Sequence, residues 1–247
     1  MAQFDNTDYF LPQDKIFRFL SFNKKTQILK RIALLQSNYI PWKGYFDLIN
    51  DVDEFFLYDE VQYTKNDWRN RNQILTPQGK QWLTIPVRHE YFGQPINEVR
   101  IANMKWGKKH WNTIKANYGK APKFKFFAPI FEELYLDGNE DLLTNVNEKY
   151  IKVICGILKI QTPILRSAKF ELQGDKNERI IDLCKKVEAD IYISGPAAKN
   201  YVNEILFKEN NIKLEWFQYS LPKAYAQQNS SKFDPYVTVL DYLFNHE

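Results

Sequence analysis

The order of apolar positions along the chain predicts an alternation of strands and helices. Short continuous apolar runs are typical of strands buried on both faces of a parallel sheet, whereas apolar residues that recur every three or four positions are typical of amphipathic helices. Runs of the first kind predict strands at 31–36, 54–58, 163–165, 190–193 and 212–217. Patterns of the second kind predict helices at 45–50, 141–158 and 175–187, and a short helix that ends a tail at 220–247. Strands separated in this way by helices indicate right-handed βαβ units.

A different pattern lies between the second and third predicted strands. The segments Asn72–Leu75 and Gln81–Val87 flank the turn T-P-Q-G-K and predict a β-hairpin. Residues 105–135 have a helical pattern that breaks near Gly119–Pro122. The sequence therefore predicts an α/β fold, a Rossmann-like and mostly parallel sheet with an inserted β-hairpin and helices.

The composition is that of a folded chain with a large core. It has 247 residues, of which 44% are hydrophobic, 26% charged and 16% aromatic. Residues 1–28 are polar and aromatic without periodicity and are predicted to be an amino-terminal arm. Residues 29–247 are predicted to be one α/β domain, with the insertion at about 72–158. The net charge of +4 gives little support for a nucleic-acid partner.

Several classes of protein are disfavoured by what the sequence lacks. Cys155 and Cys184 fall within predicted helices and outside any metal-binding spacing, so we expect them to be small buried hydrophobic residues. The three histidines are scattered, and no metal site is predicted. No apolar run approaches the roughly 18–20 residues of a membrane span, and acidic residues precede the first apolar stretch, unlike in a secretory signal. We predict a cytoplasmic protein with no membrane span and no permanently bound cofactor.

The first candidate site segment is Gln36–Phe46, which runs from a buried strand to the start of a helix. Ligands of Rossmann-like sheets bind beyond the carboxyl ends of the strands, and backbone N–H groups at a helix start favour an anion. Gly44 would let the backbone approach a ligand closely. A tight strand-to-helix turn packed with aromatic residues is the alternative. The candidate ligand-binding residues here are Gln36, Ser37, Asn38, Tyr39, Trp42, Gly44 and Tyr45.

The second candidate segment follows the second predicted strand and is dense in charge and aromatic rings. Asp59 is the best-placed carboxylate for a general base, and Arg69 and Arg71 can each hold a phosphate or carboxylate with two hydrogen bonds. Lys65 offers a point charge, and Trp68 can stack on a base or sugar ring. An exposed, charged connection is the alternative. The candidate substrate-binding residues are Gln62, Lys65, Trp68, Arg69, Asn70, Arg71 and Asn72.

Weaker signals come from the carboxyl-terminal half. Ser194 and Gly195 follow the fourth predicted strand, and with Tyr201 they are candidates for a second anion or a base edge, or else form an ordinary glycine turn. The aromatic segment 222–236 either closes the crevice as a lid or covers an apolar edge. The lysines of 105–115 form either a nucleic-acid surface or, as we prefer, a solvated helix face.

These loops carry a family resemblance. Over about residues 30–245, and above all in the strings L-Q-S-N-Y-I-P-W-K-G-Y-F-D-L-I and Y-D-E-V-Q-Y-T-K-N-D-W-R-N-R-N, the chain resembles the WbqC-like family. The resemblance implies a role in the biosynthesis of lipopolysaccharide O-antigen and other surface polysaccharides, as a glycine transferase acting on an amino sugar. The first loop also resembles the His-x-Gly-His turn of nucleotidyltransferases and of pantothenate synthetase, an amide-forming enzyme, with Trp42 and Tyr45 at the histidine positions.

Taken with the candidate residues, this resemblance predicts a transferase that moves a glycyl or other aminoacyl group to a nucleotide-linked amino sugar. Asp59 would accept the proton, and backbone N–H groups of the first loop would stabilise the oxyanion. The donor is open between an ATP-activated amino acid, an aminoacyl-tRNA and a thioester. Two alternatives remain: a non-catalytic protein that binds sugar nucleotides or carbohydrate, and a protein that docks RNA, including tRNA, through residues 105–115.

Overall fold

The computed structural model of the chain describes residues 29–138 and 140–246, so the arm predicted at residues 1–28 lies outside the described residues. The strands are β1 (Arg31–Leu35), β2 (Glu54–Leu57), β3 (Arg71–Thr76), β4 (Gly79–Thr84), β5 (Val87–Arg88), β6 (Arg100–Ile101), β7 (Ile164–Arg166), β8 (Ile191–Ser194) and β9 (Lys213–Trp216). The α-helices are α1 (Lys43–Asn50), α2 (Trp106–Tyr118), α3 (Phe124–Leu136), α4 (Leu143–Ile157), α5 (Lys176–Lys186), α6 (Glu204–Glu209) and α7 (Val239–Asn245).

Five of the strands form a parallel sheet in the order β7-β2-β1-β8-β9. Numbered by their position along the chain, these strands lie in the order 3-2-1-4-5, which is the Rossmann order. The central strand β1 pairs on both sides, and its Ile32 lies beside Glu54 of β2 and Tyr192 of β8. Strand order reverses between β1 and β8, which places the expected ligand crevice beyond their carboxyl ends. The predicted Rossmann-like α/β fold is confirmed.

The sheet is covered on both faces, as the continuous apolar runs predict. On one face Ile32 and Phe56 pack against Leu183 of α5, and all three are fully buried. On the other face Ala33 and Phe55 belong to a larger core that includes α1, α4 and the insertion. Burial on both faces explains why the strands read as unbroken apolar runs and not as alternating ones.

The residues between β2 and β7 contain a hairpin, a second small strand pair and three helices. Strands β3 and β4 pair antiparallel, as predicted, with Gly79 at a φ of +105° just after the turn. The predicted helical break near Gly119–Pro122 separates α2 from α3. The pair β5–β6 was not predicted, because strands of two residues leave no periodic signal.

The S-G-P-A-A-K pattern after the fourth predicted strand is that of a glycine turn opening a helix, and the structure differs from it. That turn opens only a 3₁₀-helix at Pro196–Asn200, after which the six-residue helix α6 begins at Glu204 with the Asn203 side chain capping Ile205 N–H. The terminal helix α7 lies where the tail pattern placed it. Cys155 and Cys184 are free and buried as expected, and burial raises the pKa of each thiol to about 12. Among the described helices, none has the length and apolar character needed to cross a membrane.

The tail returns to the sheet and is fastened to the first loop. The Thr238 hydroxyl donates to the Ile40 carbonyl at 2.8 Å, and the Val239 N–H donates to the Pro41 carbonyl at 2.9 Å. The Thr238 N–H donates to the Gln73 carbonyl of the hairpin at 3.0 Å. The tail, the first loop and the hairpin are therefore held as one unit at the carboxyl edge of the sheet.

Candidate functional site

The loops that follow β1 and β2 meet at a buried carboxylate. Asp59 is 4% exposed, and its Oδ1 accepts the backbone N–H of Ser37 at 2.8 Å. Its Oδ2 accepts the hydroxyl of Thr144 on α4. One turn further along α4, the Asn147 amide donates to Ser37 Oγ at 3.0 Å and to the Arg69 carbonyl at 2.9 Å. Asp59 thus joins both loops to α4, and its predicted role as a general base stays a prediction.

Arg69 is bound inside the site. Its guanidinium donates from Nη1 to Asn38 Oδ1 and from Nη2 to Gln36 Oε1 at 3.2 Å. Its Nη2 also lies 3.6 Å from the carboxylate of Asp67. The fork that was predicted to clamp a phosphate therefore holds two polar side chains of the first loop in place.

Arg71 is also engaged within the protein. Its guanidinium lies over the indole of Trp82, 4.1 Å from the ring centroid, and Nη1 donates to Asn66 Oδ1 at 3.3 Å. In contrast to both arginines, Lys65 is exposed and makes no ion pair with any described residue. Of the three predicted phosphate-binding cations, Lys65 is thus the one without a charged or aromatic partner among the described residues.

The asparagines of the second segment fix the hairpin to the first loop. The Asn72 amide donates to the Ile40 carbonyl at 2.9 Å and to the Tyr39 carbonyl at 3.2 Å. The Asn70 amide donates to the Ile85 carbonyl at 2.8 Å, while its Oδ1 is buried without a hydrogen-bond partner among the described residues. Segments 37–45 and 59–72 therefore converge on one place, as the strand order requires.

A cavity of about 200 Å³ lies where these segments meet. Aromatic rings form most of its wall, and two asparagine amides reach it. Trp42 lies 5.2 Å from Tyr219 and 6.1 Å from Tyr236 between ring centroids, so the tail supplies part of the wall. The lining residues are Asn38, Pro41, Trp42, Trp68, Asn72 and Tyr236. None of them is a carboxylate, histidine, lysine or arginine.

Gly44 has no side chain, and the indole of Trp42 occupies the space where one would lie. A Cβ atom at Gly44 would lie 2.4 Å from the indole of Trp42, which folds back over the first turn of α1. The sequence analysis expected Gly44 to let a ligand approach the backbone. In the structure it is the indole of Trp42 that approaches the backbone at Gly44. The same turn has no side-chain N-cap, so its first N–H groups have no side-chain acceptor.

Tyr39 and Tyr45, both predicted to bind substrate, lie in the core and do not line the cavity. The Tyr45 hydroxyl donates to the Gln36 carbonyl at 3.1 Å, and burial raises the pKa of both phenols. His110 Nε2 lies 3.2 Å from the Thr84 carbonyl, which can only accept, so Nδ1 accepts from the Tyr39 hydroxyl at 2.9 Å. Burial lowers the pKa of His110 to about 4, which agrees with this neutral imidazole.

The third predicted segment joins the site only at its start. A Cβ atom at Gly195 would lie 3.3 Å from the Tyr219 hydroxyl, which places Gly195 beside the ring that contacts Trp42. Ser194 is buried at the end of β8. Tyr201 is half exposed with Lys176 Nζ 3.2 Å from its ring centroid, and it does not line the cavity. Gln62 is exposed and forms a bridge with Pro95, also away from the cavity.

Sequence reasoning missed the part of the site that α4 and the tail contribute. Thr144 and Asn147 bind the two loops, yet they were assigned to no site. The available signal was two polar residues on the apolar face of a predicted amphipathic helix, where a buried polar side chain needs a partner. Tyr219 was also missed, whereas Tyr236 belongs to the segment 222–236 that is a candidate lid.

The fold and site define an α/β protein with a Rossmann-like sheet and an aromatic, amide-lined cavity beyond the carboxyl end of its central strand. Comparison with known proteins gives the family: the chain belongs to the WbqC-like protein family, whose model matches residues 36–247. An uncharacterised protein of Mycobacterium tuberculosis is 44% identical over 218 residues, which cover 88% of this chain and 94% of that protein. No solved structure is significantly similar to this chain.

Proposed function

We propose that this protein binds the sugar ring of a nucleotide-linked amino sugar in the aromatic cavity and transfers a glycyl or other aminoacyl group to the sugar amine. The observation that carries the proposal is the wall of the cavity, in which Trp42, Trp68 and Tyr236 lie together with the amide of Asn38. Asn72 also lines the cavity, but its amide is used by the backbone of Tyr39, Ile40 and Gln73. Aromatic faces pack against the C–H face of a sugar ring, and amides bind its hydroxyl groups. Membership of the WbqC-like family supports a substrate from surface-polysaccharide synthesis.

Asn38 is the polar group best prepared to recognise the substrate. Arg69 binds its Oδ1, which fixes the amide so that the oxygen faces the guanidinium. The Nδ2 group makes no hydrogen bond to any described residue, so two N–H donors remain for a hydroxyl or carbonyl oxygen. A donor that is held by a second residue binds with less loss of side-chain entropy than a free one.

The start of α1 offers stabilisation for the charge that develops during acyl transfer. The sugar amine attacks the acyl carbon, a C–N bond forms, and the carbonyl oxygen becomes an oxyanion. The bond to the donor's leaving group then breaks, the leaving group takes the electron pair, and the amine proton is lost. The Tyr45 N–H donates to the Trp42 carbonyl at 3.1 Å, which leaves the N–H groups of Lys43 and Gly44 at the start of α1, next to the cavity wall at Trp42, to suit that oxyanion.

Asp59 can take the amine proton only under one condition. Both of its oxygens accept hydrogen bonds from the protein, so the Thr144 hydroxyl must release Oδ2 before a substrate amine reaches it. Without that release Asp59 acts as a positioning residue, and the proton goes to solvent. Activity in the Thr144→Val variant separates the two roles, because loss of this hydrogen bond should help a base and harm a positioning residue.

A second function, sugar-nucleotide binding without catalysis, is favoured by one observation. Among the described residues, no carboxylate, histidine, lysine or arginine lines the cavity, so this part of the wall provides no strong general base. A binding protein would need only the rings and amides that are present. Turnover distinguishes the two functions.

The test mixes the purified protein with a nucleotide-linked amino sugar and one donor at a time: glycine with ATP, glycyl-tRNA, or a glycyl thioester. Mass spectrometry then searches for the amide product. We expect the product with one donor, and its rate at low sugar concentration should fall about 3- to 10-fold in Trp68→Leu, which loses an aromatic wall. The matched control is Phe92→Leu, because Phe92 is 89% exposed and is not among the lining residues. Sugar-nucleotide binding with no product from any donor would select the non-catalytic function.

A further inference from the structure

A nucleotide-linked sugar brings phosphates, and the two arginines predicted to bind them are engaged within the protein. Arg69 holds Asn38 and Gln36, and Arg71 lies over Trp82. A phosphate group that is taken up beside the cavity must find other cations. The inference that follows rests on the proposed function and names where the rest of that ligand binds.

A second, larger cleft lies between β4 and the start of α2. Its volume is about 480 Å³, and one wall is the β4 strand with Trp82 and Thr84. The opposite wall is formed by Lys105, Lys109 and the buried imidazole of His110. The cleft therefore combines an aromatic ring with two cations on facing walls.

The two lysines are free to bind an anion. Both are exposed, and neither forms an ion pair with any described residue. Lys109 follows Lys105 by four positions, so the two side chains lie on one face of the helix. The first turn of α2 contains no acidic residue and has no side-chain cap, so the positive end of the helix dipole adds to the charge of the lysines.

Trp82 connects this cleft to the sugar cavity. Its ring centroid lies 5.3 Å from that of Trp68, which lines the cavity, and both rings are partly exposed. Arg71 packs on Trp82 and holds its ring in place. The sugar cavity and the lysine cleft are thus neighbours. Trp68 lines the cavity, Trp82 lines the cleft, and the two indole rings are in contact.

We propose that the cleft binds the nucleoside diphosphate part of the substrate, with the phosphates on Lys105 and Lys109 and the base against Trp82. Two phosphates carry negative charge that matches the unpaired lysines, and every base has a face that stacks on an indole. The sugar then lies in the neighbouring cavity, where Trp68 is shared between both parts of the ligand.

The test measures binding by calorimetry with two separate probes, free glucosamine and a series of nucleoside diphosphates (UDP, GDP, ADP, CDP and dTDP). Lys105→Gln and Lys109→Gln should each weaken the binding of the preferred nucleoside diphosphate by about 10- to 100-fold, the effect of one charge-assisted hydrogen bond. Lys108→Gln is the matched control, since Lys108 is an exposed lysine of the same helix that does not line the cleft. It should change the affinity by less than about twofold.

Binding of glucosamine should be the same in all three lysine variants, which separates this inference from the proposed function. If nucleoside diphosphates bind and the double variant Lys105→Gln/Lys109→Gln binds them like the wild type, the inference is wrong while the sugar site stands. An equal loss in Lys108→Gln would also overturn it, because a diffuse positive field would then explain the binding. Binding of a tRNA transcript together with failure of every nucleoside diphosphate to bind would assign the cleft to RNA instead.

Discussion

The carboxylate of Asp59 accepts the backbone N–H of Ser37 at 2.8 Å, and this hydrogen bond joins the ends of the two adjacent strands that carry the site. Both residues are buried, so neither partner can turn to water if the bond is lost. An unpaired buried donor keeps its full desolvation cost, which makes this contact more important for the structure than an exposed one. The geometry of the first loop therefore depends on a residue of the second.

Asp59→Asn should lower the free energy of unfolding by about 1–3 kcal/mol, because an amide offers one oxygen where the carboxylate serves Ser37 N–H and the Thr144 hydroxyl with two. Urea denaturation measures the change. Asp141→Asn is the matched control: that carboxylate pairs with Arg100 at the surface and should contribute less than about 1 kcal/mol. If Asp59→Asn is as stable as the wild type but loses turnover, the structural role is wrong and the result supports Asp59 as a general base.

Arg69→Lys should weaken sugar binding about tenfold, although the charge is kept. A single ammonium group cannot hold Asn38 and Gln36 in the fixed geometry of the guanidinium fork, so the Asn38 amide loses its orientation. Calorimetry with free glucosamine measures the loss. Lys65→Gln, which removes an exposed charge of the same segment, should change this affinity by less than about twofold. Unchanged affinity in Arg69→Lys would show that Asn38 needs no such support.

Gly44→Ala should displace the indole of Trp42, because the added Cβ would lie 2.4 Å from the ring. The displaced ring would alter one wall of the sugar cavity, so glucosamine affinity should fall and the tryptophan emission should shift. The control is Gly156→Ala in α4, where a Cβ meets nothing within 4 Å and alanine favours the helix. Similar spectra and affinities for the two variants would contradict the tight contact between Gly44 and Trp42.

The stability of the protein should fall between pH 6.5 and pH 4 in part through His110. Burial lowers the pKa of the folded imidazole to about 4 from 6.5, so in this window the unfolded chain takes up a proton that the folded chain does not. Between pH 7 and pH 4.5 this difference should cost about 2–3 kcal/mol. Denaturation of wild type and His110→Gln at both pH values isolates the contribution, because other groups cancel. Parallel pH dependence in the two proteins would show that the pKa of His110 is the same in the folded and unfolded chain.

The parallel sheet and the loops at its carboxyl edge could be predicted from the sequence, because continuous apolar runs specify buried parallel strands and parallel strands end at one edge. The partners of the polar side chains could not. Arg69 was expected to face a ligand, yet its acceptors Gln36 and Asn38 lie more than thirty residues earlier in the chain, and no local pattern encodes that pairing. The same holds for Tyr236, which comes to the cavity from a tail without regular secondary structure.

The bond from the Thr238 hydroxyl to the Ile40 carbonyl spans 198 positions of sequence, and it has a consequence for the order in which the protein matures on the ribosome. Four of the five parallel strands are already translated by residue 194, but the cavity wall at Tyr236 and the anchor at Thr238 are not. A nascent chain can therefore form most of its sheet while its ligand cavity is still open on one side. A chain that ends before residue 236 would lack both this part of the cavity wall and the anchor at Thr238.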